Sequence, residues 1–78
     1  MYENIGDNLH YLRYTRTPFY LQREVAQKLH VSKSTYARYE KGDLIPPLWF
    51  LHEVAAFYDI EVSLLLSDSL RKELGNGK

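Results

Sequence analysis

The sequence predicts an all-α domain built from five short helices. Three observations carry that expectation. Apolar residues return at spacings of three and four along most of the chain. No stretch alternates apolar and polar residues for long enough to argue for a strand. Residues that start or stop helices also punctuate the chain, at Thr17-Pro18, Ser32, Gly42 and Pro46-Pro47. With 78 residues the chain has room for one small domain, expected over residues 1–74, with Gly75-Asn76-Gly77-Lys78 as a disordered tail.

Ile5, Leu9 and Leu12 predict a first helix over about 4–14, with Asn4 and Asp7 able to cap its start. Thr17-Pro18 suits the start of the second, threonine as N-cap and proline at the first helical position, so that helix begins somewhere in 18–22. Its apolar set is Leu21, Val25, Ala26 and Leu29. Ser32 as cap and Gly42 as terminator bound a third helix over about 33–41. Pro46-Pro47 excludes helix before it and opens a fourth over about 47–58, with Leu48, Leu51, Val54, Ala55 and Tyr58 directed inward. Val62, Leu65 and Leu66 come after a break at Asp59 and predict a short fifth helix near 62–67; residues 68–74 either continue it or begin again.

A hydrophobic share of 45%, including seven Tyr, three Phe and one Trp, can build a core. Domains of this size bury only about 60% of their unfolded surface, and without cysteine neither disulfides nor thiolate metal sites can add stability. His10, His30 and His52 share no ligand spacing, so no metal is expected. No nucleophile elbow, phosphate-cradling glycine loop or carboxylate pair is present, which argues against an enzyme, a cofactor or a small-molecule site. No apolar run approaches the roughly 18 residues of a membrane span, and the N-terminal segment is acidic where a signal peptide is basic. The expectation is a cytoplasmic protein with no membrane partner.

The formal net charge is zero, but its distribution is uneven. Residues 13–41 hold Arg13, Arg16, Arg23, Lys28, Lys33, Arg38 and Lys41 against only Glu24 and Glu40, a local charge of +5, while 1–12 carry −2 and 42–78 carry −3. A block of this kind fits a solvated face and a polyanion-binding face equally well.

The segment from Gln22 to Lys41 separates the two. Two short helices joined by a three- to four-residue turn form the unit that presents its second helix to a DNA major groove. Such helices pack closely only with a small residue at the approach, an apolar residue in the turn, and two inward apolar residues at i and i+3 on the second helix. Ala26, Val31, Tyr36 and Tyr39 fill these roles, with both tyrosine hydroxyls expected at the surface. His30 stands at the turn position that requires positive φ, where glycine costs least.

The run Gln22-Arg-Glu-Val-Ala-Gln-Lys-Leu-His-Val-Ser-Lys-Ser-Thr-Tyr-Ala-Arg-Tyr-Glu-Lys-Gly42 resembles the helix-turn-helix of the phage-repressor-like (Cro/cI, XRE) DNA-binding family. Ile45-Pro-Pro-Leu48 and Ala56 to Leu66 resemble the loop and the last two helices that lie C-terminal to the motif in that family, so the resemblance covers about residues 4–66. It implies a lambda-repressor-like five-helix domain whose helices 2 and 3 form the motif. It also implies sequence-specific binding of double-stranded DNA by a transcriptional repressor or regulator, acting as a homodimer on a palindromic operator. A protein-interaction module or antitoxin subunit with the same fold is the alternative. Three features depart from the pattern: Leu21 stands where a serine or threonine cap is common, the connection from Leu12 to Gln22 is longer than usual, and Trp49 occupies a normally polar position.

On this reading the side chains at the start of helix 3 that face away from Tyr36 and Tyr39 read bases: Lys33, Ser34, Ala37 and Arg38. A guanidinium bonds guanine O6 and N7 together, so Arg38 leads; its competing role is an ion pair with Glu24 or Glu40. Gln22, Arg23 and Lys41 are the expected phosphate contacts; Thr35 is a weaker one, since a helical hydroxyl more often bonds the preceding turn. With Leu48, Leu51, Val54 and Tyr58 inside, Trp49, Phe50, Phe57, Leu70 and Leu74 remain as apolar excess. Either they form a dimer interface with Trp49 at or near it, or the tail folds back over Phe50 and Phe57.

Overall fold

The computed structural model describes residues 2–15 and 17–67, with side chains from residue 4 onward. Five helices and no strand occupy the described residues: α1 Tyr2–Tyr14, α2 Gln22–Lys28, α3 Lys33–Lys41, α4 Leu48–Tyr58 and α5 Val62–Leu65. The expected tail at 75–78, together with Leu70 and Leu74, lies outside them.

α1 buries Ile5, Leu9 and Leu12, the stripe its spacing predicts. It begins two residues before the expected start, so Asn4 and Asp7 lie within the helix rather than capping it. The same face carries Gly6 and Asn8. A Cβ at Gly6 would run into the backbone carbonyl oxygens of Tyr39 and Glu40, so only glycine lets α1 and α3 approach this closely. Asn8, buried, donates its amide to the carbonyls of Leu65 and Ser67, both at 2.8 Å. It thereby satisfies carbonyl groups that the end of α5 leaves without helical partners.

α2 begins at Gln22, at the far end of the expected 18–22, with Leu21 in the cap position in place of Thr17. The chain stays non-helical to Leu21, whose N–H donates to the Glu24 carboxylate at 2.8 Å. The reason is Tyr20. Its carbonyl accepts from Arg13 Nη1 at 3.0 Å, and its ring meets those of Phe57 and Tyr58 at 5.3 and 6.5 Å. That anchor holds the connection extended one residue before the helix can begin.

α3 has the predicted bounds. Ser32 Oγ accepts from the Thr35 N–H at 3.1 Å, and Gly42 at φ 88° lets the Gly42 and Asp43 N–H groups close on the Arg38 carbonyl. His30 takes the positive φ expected of it, 64°. Val25 and Ala26 of α2 and Leu29 just after it share one core with Tyr36 and Tyr39 of α3, with Val31 at its edge.

α4 buries Leu51, Val54, Ala55 and Tyr58 as expected, but Phe50 takes the inward place expected of Leu48. Phe50 is fully buried, while Leu48 is 65% exposed. The inward rows are Phe50, Val54, Tyr58 and Leu51, Ala55, each at i+4. Phe50 is held there by Tyr39 and Tyr36, whose ring centroids lie 4.7 and 6.3 Å away. Phe57 packs at the core edge, so neither phenylalanine is surplus. Trp49 stays 52% exposed.

Candidate nucleic-acid interface

α3 has two faces of opposite character. Inward, Tyr36 and Tyr39 are buried. Outward, Lys33, Ser34, Arg38 and Lys41 are exposed and Ala37 is half-buried. The rows 33, 37, 41 and 34, 38 keep the i+4 spacing of a single helix face, so the four expected base readers and Lys41 share one stripe. Among the described residues no carboxylate pairs with Lys33, Arg38 or Arg23. Arg38 therefore has neither of the ion pairs that competed for it. Lys41 Nζ lies 3.9 Å from Asp43 Oδ2, both well exposed, a contact weak enough to exchange. Thr35 is taken up locally, its hydroxyl accepting from Ser32 Oγ at 2.9 Å.

Gln22 is not presented freely. Its Nε2 donates to Glu40 Oε1 at 3.0 Å, which ties the first residue of α2 to the last turn of α3. Beside it Arg13, Leu21, Gln22, Arg23 and Lys33 line an open groove of about 360 Å³ that joins the start of α2 to the start of α3.

Glu40 is the centre of a buried polar cluster. Its Oε2 accepts from Arg13 Nε and from the Tyr36 hydroxyl, both at 2.7 Å; its Oε1 accepts from Arg13 Nη2 at 3.1 Å and from Gln22, with His10 Nδ1 at 3.4 Å. Arg13 and Glu40 side chains are 8% and 6% exposed. Burial alone would raise the Glu40 carboxyl, but the bonds from Arg13, Tyr36 and Gln22 outweigh it and hold the group below its ordinary value. The bond to Glu40 likewise raises Arg13 against the effect of burial. Tyr36 is pushed strongly upward, first by burial and then by the neighbouring carboxylate. Its hydroxyl points to Glu40 inside the protein, not to the surface as expected.

This cluster locks α1, α2 and α3 together, and charge counting misses it. A signal was present in the helical rows: Arg13 continues the buried Ile5, Leu9 row of α1, and Glu40 lies four residues after the inward Tyr36. Opposite charges on the apolar rows of two neighbouring helices are candidates for a pair.

Residues 12–65, well over half of the chain, match the helix-turn-helix family. The chain belongs to it, and its class is that of the Cro/cI-like helix-turn-helix domains, a DNA-binding rather than an enzyme family. Among curated proteins, the cryptic phage CTXphi transcriptional repressor RstR of Vibrio cholerae is 44% identical over 48 residues, a match spanning 62% of this chain and 43% of that protein. No solved structure matches the chain. Among the described residues no helix is long and apolar enough to cross a membrane, and no group of three or more His, Asp or Glu side chains could hold a metal ion.

Proposed function

We propose that this protein is a transcriptional repressor of the cytoplasm that binds a palindromic operator as a homodimer through α3. The observation that carries the reading is the outward stripe of α3, where Lys33 and Arg38 stand exposed without carboxylate partners among the described residues. Arg38 reads guanine through O6 and N7, Lys33 and Ser34 bond neighbouring base edges, and Ala37 allows close approach or meets a thymine methyl. Arg23 and Lys41 neutralise phosphates, and Gln22, set by Glu40, contributes a backbone contact at the groove. The repressor named among the relatives supports the regulatory role.

The dimer rests on a second observation. Leu44, Ile45, Leu48 and Trp49 are 36%, 56%, 65% and 52% exposed along a short stretch of chain. Apolar side chains grouped this way on a small domain mark an interface. A symmetric pair then sets two α3 helices one DNA turn apart, about 34–36 Å. The same patch is what an antitoxin or protein-interaction module would use to hold a partner. Selection of bound duplexes from random DNA, with a salt series on the selected duplex, decides between the two. A regulator yields a palindromic consensus and an affinity that falls linearly in log–log form with salt; a protein-interaction module yields no consensus at any salt.

A further inference from the structure

The surface beside the α3 stripe is not uniformly basic. Tyr14, Phe19 and Leu21 are 57%, 53% and 43% exposed. Single exposed apolar residues are ordinary, but Tyr14 and Phe19 touch each other, and Arg13 links them to the groove that Leu21 lines. The Phe19 ring meets Tyr14 edge-on at 5.4 Å, Tyr14 meets His10 at 4.5 Å, and the Arg13 guanidinium lies 5.1 Å from the Tyr14 ring centre. Arg13 and Leu21 are also walls of the groove that Gln22, Arg23 and Lys33 complete. This shelf is fixed from beneath, because Arg13 is held by Glu40 and by the Tyr20 carbonyl. Ordering it on a ligand therefore costs little.

We propose that this shelf, Tyr14 at the end of α1 with Phe19 and Leu21 on the α1–α2 connection, packs against the deoxyribose of a DNA backbone step whose phosphate is held by Arg23. The inference rests on the DNA-binding reading and extends its footprint beyond the bases that α3 reaches. Charge and shape together choose the occupant. A nucleic-acid backbone alternates an anionic phosphate with the apolar edge of a sugar, and here Arg23 and Lys33, without carboxylate partners among the described residues, share a groove with Leu21 and with Arg13, whose guanidinium lies on the exposed Tyr14 ring. An apolar protein surface would bury those cations unpaired, and an acidic peptide would leave the rings uncovered. Such a contact carries no base information and strengthens binding to all sequences alike.

Hydroxyl-radical footprinting reads sugar exposure directly, and it tests this with the full chain on the selected duplex at saturating protein. Phe19→Ala is expected to lose protection at the outermost sugars only. It should weaken specific and random duplexes by the same factor, about fivefold for a ring that buries part of its surface. The slope of log affinity against log salt should stay that of the wild type, because no phosphate contact is lost, whereas Arg23→Ala should make it shallower by about 1. Leu21→Ser guards against misfolding as an explanation: it gives α2 a capping hydroxyl, so stability should hold or rise while DNA binding weakens. If both variants footprint and bind as the wild type while Arg38→Ala still changes sequence choice, the shelf is overturned and the DNA reading stands. A wild-type protein that protects no duplex overturns both.

Discussion

Arg13 and Arg38 are the same side chain in two different settings. Arg13 lies in the seam between α1 and α3, 6% exposed, with Nε and Nη2 bonded to Glu40 and Nη1 to the Tyr20 carbonyl. Arg38 stands exposed on the outer face of α3 with no carboxylate among the described residues paired to it. A basic segment is therefore not one resource. A charge buried and fully bonded fixes the arrangement of helices; only a charge left unpaired in water is available to a polyanion. In this molecule the first makes the second useful, since the Glu40 cluster holds α1, α2 and α3 in the geometry that turns the stripe outward.

The largest contrast should come from the two faces of α3. Glu40→Ala leaves the Arg13 guanidinium, the Tyr36 hydroxyl and the Gln22 amide without their common acceptor, and should cost about 3–5 kcal/mol in urea denaturation. Arg38→Ala should change stability by no more than about 0.5 kcal/mol. Equal losses from the two would erase the distinction.

A smaller effect is expected at the seam itself. Gly6→Ala drives a methyl group into the Tyr39 and Glu40 carbonyls, and separating α1 from α3 should cost about 1–3 kcal/mol, seen as a lower melting temperature. An unchanged melt would show that the two helices can part freely.

Smaller still is the effect of acid. The Glu40 carboxyl is held below its ordinary 4.5 in the folded protein. Its contribution is therefore complete above that value and disappears as the pH falls through the lower folded one. Glu40→Gln should flatten the stability curve in that acid range relative to wild type. Parallel curves would mean that the cluster does not depend on the carboxylate charge.

The same contrast explains how much could be read in the sequence. The bounds of α3, the positive φ of His30, the αL turn at Gly42 and the inward tyrosines are local matters of capping, turn chemistry and period, and the residues state them. The start of α2 depends on Tyr20 reaching Phe57, Tyr58 and Arg13, and no local signal at Thr17-Pro18 reports that. Phe50 is chosen over Leu48 because Tyr36 and Tyr39 of another helix lie against it. Gly6 and Asn8 likewise act across helices, on α3 and α5. For the interface, the outward stripe was legible from spacing alone. The Glu40 tie to Gln22 was not, because a count of charges treats every arginine and glutamate as equally wet.

Binding of wild type, Arg38→Ala and Lys41→Ala to every single-base-pair variant of the selected duplex tests most directly whether the outward stripe of α3 reads DNA. Arg38→Ala should lose about 1–3 kcal/mol on the preferred site and become indifferent to the base pair at one position. Lys41→Ala should weaken every variant by the same factor and leave the preferences intact. If Arg38→Ala also weakened all variants uniformly, with the base preferences of the wild type unchanged, the claim that Arg38 reads sequence would be contradicted.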